Sequence, residues 1–300
     1  MEDIQIIHGL QGLDLYKSEF PEIIHFIDSL KAFPVLAVEI PKGHAIYRAR
    51  PTEAVDFTTS KEMSYNPVSK SFGRCHFPGL PVFYGSIASE AIKYPMLTNL
   101  AEASLILREK LPTEGEFQMT VGKWLVEKPF WLVAIVSDVA SNPENISQLN
   151  LAESFAEKLK SYPDPIAAKA IGEYFASEFA KDHITSQNDY KISAAIANKI
   201  YSNGVGGILY PSVRTEGAGF NVAILPFVAD EYLKLVGVGV HTVYHKNLKS
   251  VVDNEKFAYV ESDGTFKLEK MQTDHLGKEL ALKILKGEVR ISDHANNRMY

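Results

Sequence analysis

Residues 204–225 read GVGGILYPSVRTEGAGFNVAIL: an apolar run from Gly204 to Tyr210, a turn rich in glycine and polar residues, and a second apolar run from Phe220 to Leu225. Two short runs of this kind, bounded by turn residues, predict consecutive strands with no helix between them. Further strands are expected downstream in LVGVGVHTVYH (235–245) and FAYVESDGTFKLEK (257–270), before a short final helix near Asp274 to Lys286. Upstream, residues 142–203 change character. Ile166, Ala170, Ile171, Tyr174, Phe175 and Phe179 are spaced as one helical stripe, so this stretch reads as a grouped helical layer, an insertion among strands. Strands that follow one another without regular helical crossovers, with helices grouped apart, give an α+β fold and not a doubly wound sheet.

Toward the N-terminus, KSEFPEIIHFIDSLK (17–31) is helical in pattern despite Pro21. VLAVEI (35–40) and HAIYRAR (44–50) read as strands of a hairpin turned at Pro41-Lys42-Gly43. Residues 51–81 are polar and rich in Ser, Pro and Gly; a loop of that length in a compact domain is usually functional. VFYGSI (82–87) is a short strand, and a well-buried helix is expected from about Thr98 to Leu111. QMTVGKWLV (118–126) and PFWLVAIV (129–136) read as a second hairpin through Glu127-Lys128. The expected organisation is an N-terminal extension (1–43), a main domain (44–245) containing the helical layer, and C-terminal strands and helix (246–300) in the same globule.

Composition narrows the function classes. With 46% hydrophobic residues the chain can bury a substantial core. Its net charge of -6, from 31 basic and 37 acidic side chains without a basic block, argues against nucleic-acid binding. A single cysteine, Cys75, and an acidic N-terminus without a signal-peptide pattern predict a reducing, cytoplasmic setting. The most apolar run, FWLVAIV, is strand-length, so no membrane span is expected. Asn145-Ile146-Ser147 fits a glycosylation sequon, which has no use in that setting.

Several residues carry chemistry. Strand alternation puts His44, Ile46, Arg48 and Arg50 on one face of HAIYRAR, where a guanidinium can fork onto phosphate or simply pair with a carboxylate. The loop SFGRCHFPG (71–79) sets glycines and Arg74 among aromatic residues, suited to close approach of a ring-bearing ligand. Cys75 and His76, being adjacent, point to opposite faces and make a poor nucleophile and base. Glu102 sits on the shoulder of an apolar helix, with Glu90 as the rival carboxylate. Pro211 lacks an N–H, so its strand is an edge strand or ends there, leaving Ser212 to donate to a ligand oxygen or to satisfy a turn. His241 and His245 share a strand face but have no carboxylate or cysteine at a convincing spacing, and no metal is expected.

Taken in order, YRARP, GRCHFPGLPVFYGS, NLAEAS and GGILYPSVR followed by FNVAIL resemble the RES domain family, named for its arginine, glutamate and serine, across residues 44–245. The resemblance implies an ADP-ribosyltransferase-like fold with a split mixed or antiparallel sheet. It also implies degradation of NAD as substrate, by glycohydrolysis or phosphorolysis. Some members resemble toxins neutralised by an antitoxin protein, and some transfer ADP-ribose to a protein. By the same resemblance Arg48, Glu102 and Ser212 take the catalytic places, and Arg74, Tyr84 and Tyr47 join Arg48 and Ser212 around the nucleotide. Two departures stand out: Arg74 is followed by Cys75-His76 where the family has phenylalanine and asparagine, and the segment from Tyr84 to Glu102 is long, which keeps Glu90 in play. A silent nucleotide- or protein-binding module, and an interaction protein exposing the stripe on residues 165–182, are the alternatives. Oligomeric state is left open.

Overall fold

The computed structural model describes residues 2–89, 95–103, 114–246, 249–272 and 275–289. Contacts divide the chain into two interleaved units. The first takes residues 1–46, 65–98 and 126–233; the second takes 47–64, 99–125 and 234–300.

In chain order the helices are α1 (Asp3–Gln11), α2 (Phe20–Asp28), α3 (Ser60–Met63), α4 (Pro95–Ala103), α5 (Ile146–Leu159), α6 (Pro165–Phe179), α7 (Lys191–Tyr201), α8 (Pro226–Tyr232) and α9 (Lys278–Lys286). The strands are β1 (Leu36–Ile40), β2 (Ala45–Pro51), β3 (Phe83–Ile87), β4 (Glu114–Val126), β5 (Phe130–Ala134), β6 (Gly207–Pro211), β7 (Phe220–Ile224), β8 (Leu233–Lys246), β9 (Lys249–Tyr259) and β10 (Glu269–Lys270). Pro21 is tolerated because it falls in the first turn of α2, where its missing N–H has no partner to lose.

In the first unit the strand order is β1-β5-β6-β7-β3. The two strands expected from the opening stretch are β6 and β7, which pair antiparallel from Gly207 opposite Ile224 to Pro211 opposite Phe220. β5 and β6 run parallel, Val133 opposite Ile208. Parallel neighbours need a long crossover, and α5 to α7 supply it. Residues 142–203 are therefore the connection between two adjacent strands. β6 is flanked on both sides and Pro211 is its last residue, so of the two expectations for Pro211 the strand end is the one realised.

The core of this unit joins Ile6, Leu10, Ile23 and Ile27 of α1 and α2 to Ile171, Phe175 and Phe179 of α6, Ile192, Ile196 and Ile200 of α7, and Val133, Ile208 and Tyr210 of the sheet. The α6 stripe is thus buried, which removes the exposed face that an interaction protein would have used there. Ile166 is the exception at 78% exposed, since Ala167 and Ala168 take the inward face of the first turn, and Ala170 is half-buried.

Neither expected hairpin forms. β1 pairs with β5, from Leu36 opposite Ala134 to Ile40 opposite Phe130. The turn at Pro41-Lys42-Gly43 does close, with His44 N donating to Pro41 O, but its positive φ falls on Gly43 alone, at +85°. That is the pattern of an unprimed turn, whose twist splays the strands it joins. β4 and β5 lie in different units, and Glu127-Lys128-Pro129 offers no residue for a tight primed turn.

In the second unit the order is β2-β4-β8-β9-β10. β8 and β9 are antiparallel, with a bulge between Val240 and His241. α9 closes over β9 through Ala281 and Leu285 against Tyr244 and Val251. Both units are mixed, strands flanked by helices, as an α+β chain requires. Among the described residues no helix is long and apolar enough to cross a membrane.

Candidate functional site

The glycine-arginine loop is clamped to its neighbours in the first unit. Gly73 and His76 exchange backbone hydrogen bonds, at 2.9 and 3.3 Å. A side chain at Gly73 would put its Cβ 2.1 Å from the His76 ring, so only glycine closes this turn. The Tyr84 hydroxyl, on β3, accepts from Cys75 N at 2.9 Å and stands 2.8 Å from His76 Nδ1. Tyr201 of α7 donates to Cys75 O at 3.0 Å. Burial pushes the Tyr84 phenol well above its ordinary value and holds the His76 ring below its own, so a protonated Tyr84 is hydrogen-bonded to a neutral His76. Cys75 is fully buried and its thiol is pushed up by that burial, which leaves no thiolate for nucleophilic chemistry.

Arg74 is 9% exposed and faces the carboxyl end of α6. Its Nη1 donates to Phe179 O at 2.5 Å and Glu178 O at 3.4 Å, and Nη2 to Lys181 O at 2.8 Å. A guanidinium suits that place because the last carbonyls of a helix have no intrahelical partner and carry its negative end. Its plane also lies 5.4 Å over the Tyr190 ring.

Ser212 follows β6 and is wholly buried. Its N–H donates to Gly219 O and its carbonyl accepts from Gly217 N, both at 2.8 Å, closing the loop 212–219 across its base. Glu216 and Gly217 turn the chain with φ of +51° and +77°. Asn145 holds the loop from outside: its side chain caps α5 by accepting from Gln148 N and donates to Gly217 O and Ala218 O at 3.1 Å each. The sequence reading missed Asn145, although an asparagine ahead of a helical run is a cap signal. Asn145→Ala should cost about 1–2 kcal/mol in urea unfolding, the scale of a lost cap, and a change within error would sever that loop from the stability of α5.

In the second unit, β2 carries Tyr47, Arg48 and Arg50. Arg48 Nε donates to Ser64 O at 3.2 Å, and Arg50 Nη1 donates to Glu62 O. Both arginines thus reach the carboxyl end of α3, whose start is fixed by a capping box between Thr59 and Glu62. Arg50 also lies 3.7 Å from Glu53 and 4.9 Å from the Phe57 ring centre, which accounts for it as a packed, paired arginine. α4 is stitched to β2 by Asn99, a second residue the sequence did not signal: Asn99 Oδ1 accepts from Ala49 N at 3.3 Å and Nδ2 donates to Tyr47 O. Glu102 lies three residues after Asn99 on the same helix. It is half-buried. The structure therefore places Glu102 on the helix that Asn99 stitches to the strand of Arg48, and ties the Arg74 loop to Tyr84 of β3; Ser212 anchors a separate loop of the first unit. Glu90 lies outside the described residues.

The two histidines weighed as metal ligands have other partners: His241 Nδ1 meets Asn254 Oδ1 at 2.9 Å and His245 Nδ1 meets Ser250 Oγ at 2.8 Å.

His76, His44 and His241 are all held below the ordinary histidine value by burial. An unfolded chain takes up their protons near pH ~6.5, the folded chain only at lower pH, so the unfolded state binds more protons in that window. Stability is then fully present above about 6.5 and falls as pH drops toward the folded values. Thermal melts from pH ~7.5 to ~5 should show a falling Tm, with a shallower slope in His76→Gln; equal slopes would remove His76 from the account.

No curated protein matches the chain. Residues 137–243 match the family model described as the RES domain, a span that contains the α5–α7 crossover, Ser212 and β7, with Arg48, Arg74, Tyr84 and Glu102 preceding it. Over residues 137–243 the chain thus matches the RES domain, the family its motifs resemble.

Proposed function

We propose that this chain degrades NAD by breaking the bond between nicotinamide and ribose. The family match around Ser212 carries the reading, and the clamped glycine-arginine loop and the helix of Glu102, stitched to β2 by Asn99, support it. In the reaction the C1′–N bond breaks and nicotinamide leaves with the electron pair. The ribose passes through an oxocarbenium-like state, and an acceptor oxygen then bonds to C1′ and gives up its proton. Glu102 stabilises the developing positive charge and orients the 2′-hydroxyl. Arg48 grips the pyrophosphate with charge-assisted hydrogen bonds, beside Tyr47. Tyr84 forms a wall, and Ser212 hydrogen-bonds the ribose or amide. Arg74, already engaged by the α6 carbonyls, contributes by fixing the loop. An antitoxin protein that covers the site belongs to the same reading.

The test is to incubate purified chain with NAD and separate the products. Free nicotinamide with ADP-ribose establishes a glycohydrolase. A phosphorylated ADP-ribose formed only with added phosphate establishes a phosphorylase, and labelled protein establishes a transferase. Binding of NAD without product reduces the chain to a recognition module, and neither binding nor product overturns the proposal.

A further inference from the structure

A group of side chains far in sequence from those above combines metal-ligating chemistry with a shortage of positive charge, all within the second unit. Asp253 and Glu255 lie on β9, and His275 lies in the segment leading to α9. One donor atom from each of the three falls within 4.8 Å of the other two. His275 Nδ1 stands 3.0 Å from Asp253 Oδ2 and 3.8 Å from Glu255 Oε2. The register explains how the two carboxylates meet. Val240 is opposite Lys256 and His241 opposite Asn254, so Glu255 is the extra residue of the β-bulge, and a bulge re-aims the side chain it carries.

The charges do not close. The Asp253 side chain is 0% exposed, and a second carboxylate stands within reach of it. Among the described residues the only ionic partner within 4.0 Å of either is His275; no lysine or arginine approaches them. Asp253 accepts Leu276 N at 2.6 Å and Gly277 N at 2.9 Å, and Glu255 Oε1 accepts the Thr242 hydroxyl at 2.8 Å. These bonds orient both carboxylates and leave lone pairs facing the imidazole, as the outer contacts of metal ligands do. A half-exposed His275 and a quarter-exposed Glu255 leave a way in from solvent.

We propose that Asp253, Glu255 and His275 bind one divalent transition cation of the Mn²⁺ to Zn²⁺ series, through His275 Nδ1 and an oxygen of each carboxylate. One imidazole and two carboxylates form a hard-to-borderline donor set. Bonds of about 2.0–2.2 Å around a tetrahedral ion put donor atoms roughly 3.4 Å apart; the two separations from His275 Nδ1, 3.0 and 3.8 Å, lie within a few tenths of an ångström of that, and the carboxylates stand within 4.8 Å of each other. The ion supplies the missing charge and ties β9 to the start of α9.

The experiment is calorimetric titration of the tag-free, chelator-treated full chain with Zn²⁺ and, separately, Mn²⁺, with melting temperatures read alongside. One ion per chain is expected, with a Tm that rises with ion concentration. Glu255→Gln and His275→Ala should each weaken binding at least tenfold, while the exposed-site control His183→Gln leaves it unchanged. Absence of saturable binding by both ions overturns the proposal, as does binding that survives both ligand variants. A Tm loss in the variants that is the same with and without ion also overturns it, since that is the signature of an ion pair alone. None of these readouts depends on NAD turnover.

Discussion

Glu102→Ala is expected to slow nicotinamide release from NAD at least ~100-fold, the scale on which a group placed against developing charge acts. The fold should survive, because the stitch between α4 and β2 is made by Asn99, one turn away, and the helix is seated by the buried Leu100 and Thr98. Glu102→Gln separates charge from shape. It keeps the volume and a hydrogen-bonding oxygen but loses the negative charge, so its rate should fall nearly as far as that of alanine. Undiminished turnover in a folded Glu102→Ala protein sinks the assignment and moves the role to Glu90. Circular dichroism and an urea midpoint on the same preparations distinguish lost chemistry from lost structure.

The second large effect is on stability. Arg74→Ala strips charge-assisted donors from Phe179 and Lys181 and leaves the carboxyl end of α6 buried against nothing. Two such bonds at about 1.5–3 kcal/mol each give a loss of about 3–6 kcal/mol in urea unfolding. Lysine should not rescue it, since one ammonium cannot reproduce the fork that spans both carbonyls. Arg48→Ala should behave oppositely. Arg48 is half-buried and its Nε donates to Ser64 O at the end of a single helical turn, and its main expected effect is on NAD binding, which should weaken. Equal destabilisation by both variants would place Arg48 among the structural arginines.

Much of the fold was legible because its strands are short apolar runs with explicit stops. Pro211 is the last residue of β6, one of the two outcomes its missing N–H allowed, and Pro21 lies in the first turn of α2 instead of breaking it. Pairing was less legible. Pro41-Lys42-Gly43 looks like a hairpin turn in sequence, yet whether a turn splays or joins two strands depends on which residue takes positive φ, and only the backbone shows that. The α6 stripe is buried at Ile171, Tyr174, Phe175 and Phe179, half-buried at Ala170 and exposed at Ile166, a difference that periodicity alone does not show. At the site, the sequence supplied residue types but not their partners. That Arg74 is held by carbonyls a hundred residues away, or that Asn145 serves both a helix and the loop after Ser212, is tertiary information. The grouping of Asp253, Glu255 and His275 escaped for the same reason, because a bulge and a loop bring them together.

The parallel pairing of β5 with β6 also sets an order of assembly. β6 and β7 are joined by the short loop 212–219 and can find each other cheaply, whereas Val133 meets Ile208 only after the whole crossover has closed. On the ribosome β5 therefore emerges with one edge bare until the segment from Gly207 is made. An apolar, unpaired edge is a template for pairing with another chain. Nascent chains halted between α7 and β6 should be the species most dependent on a chaperone.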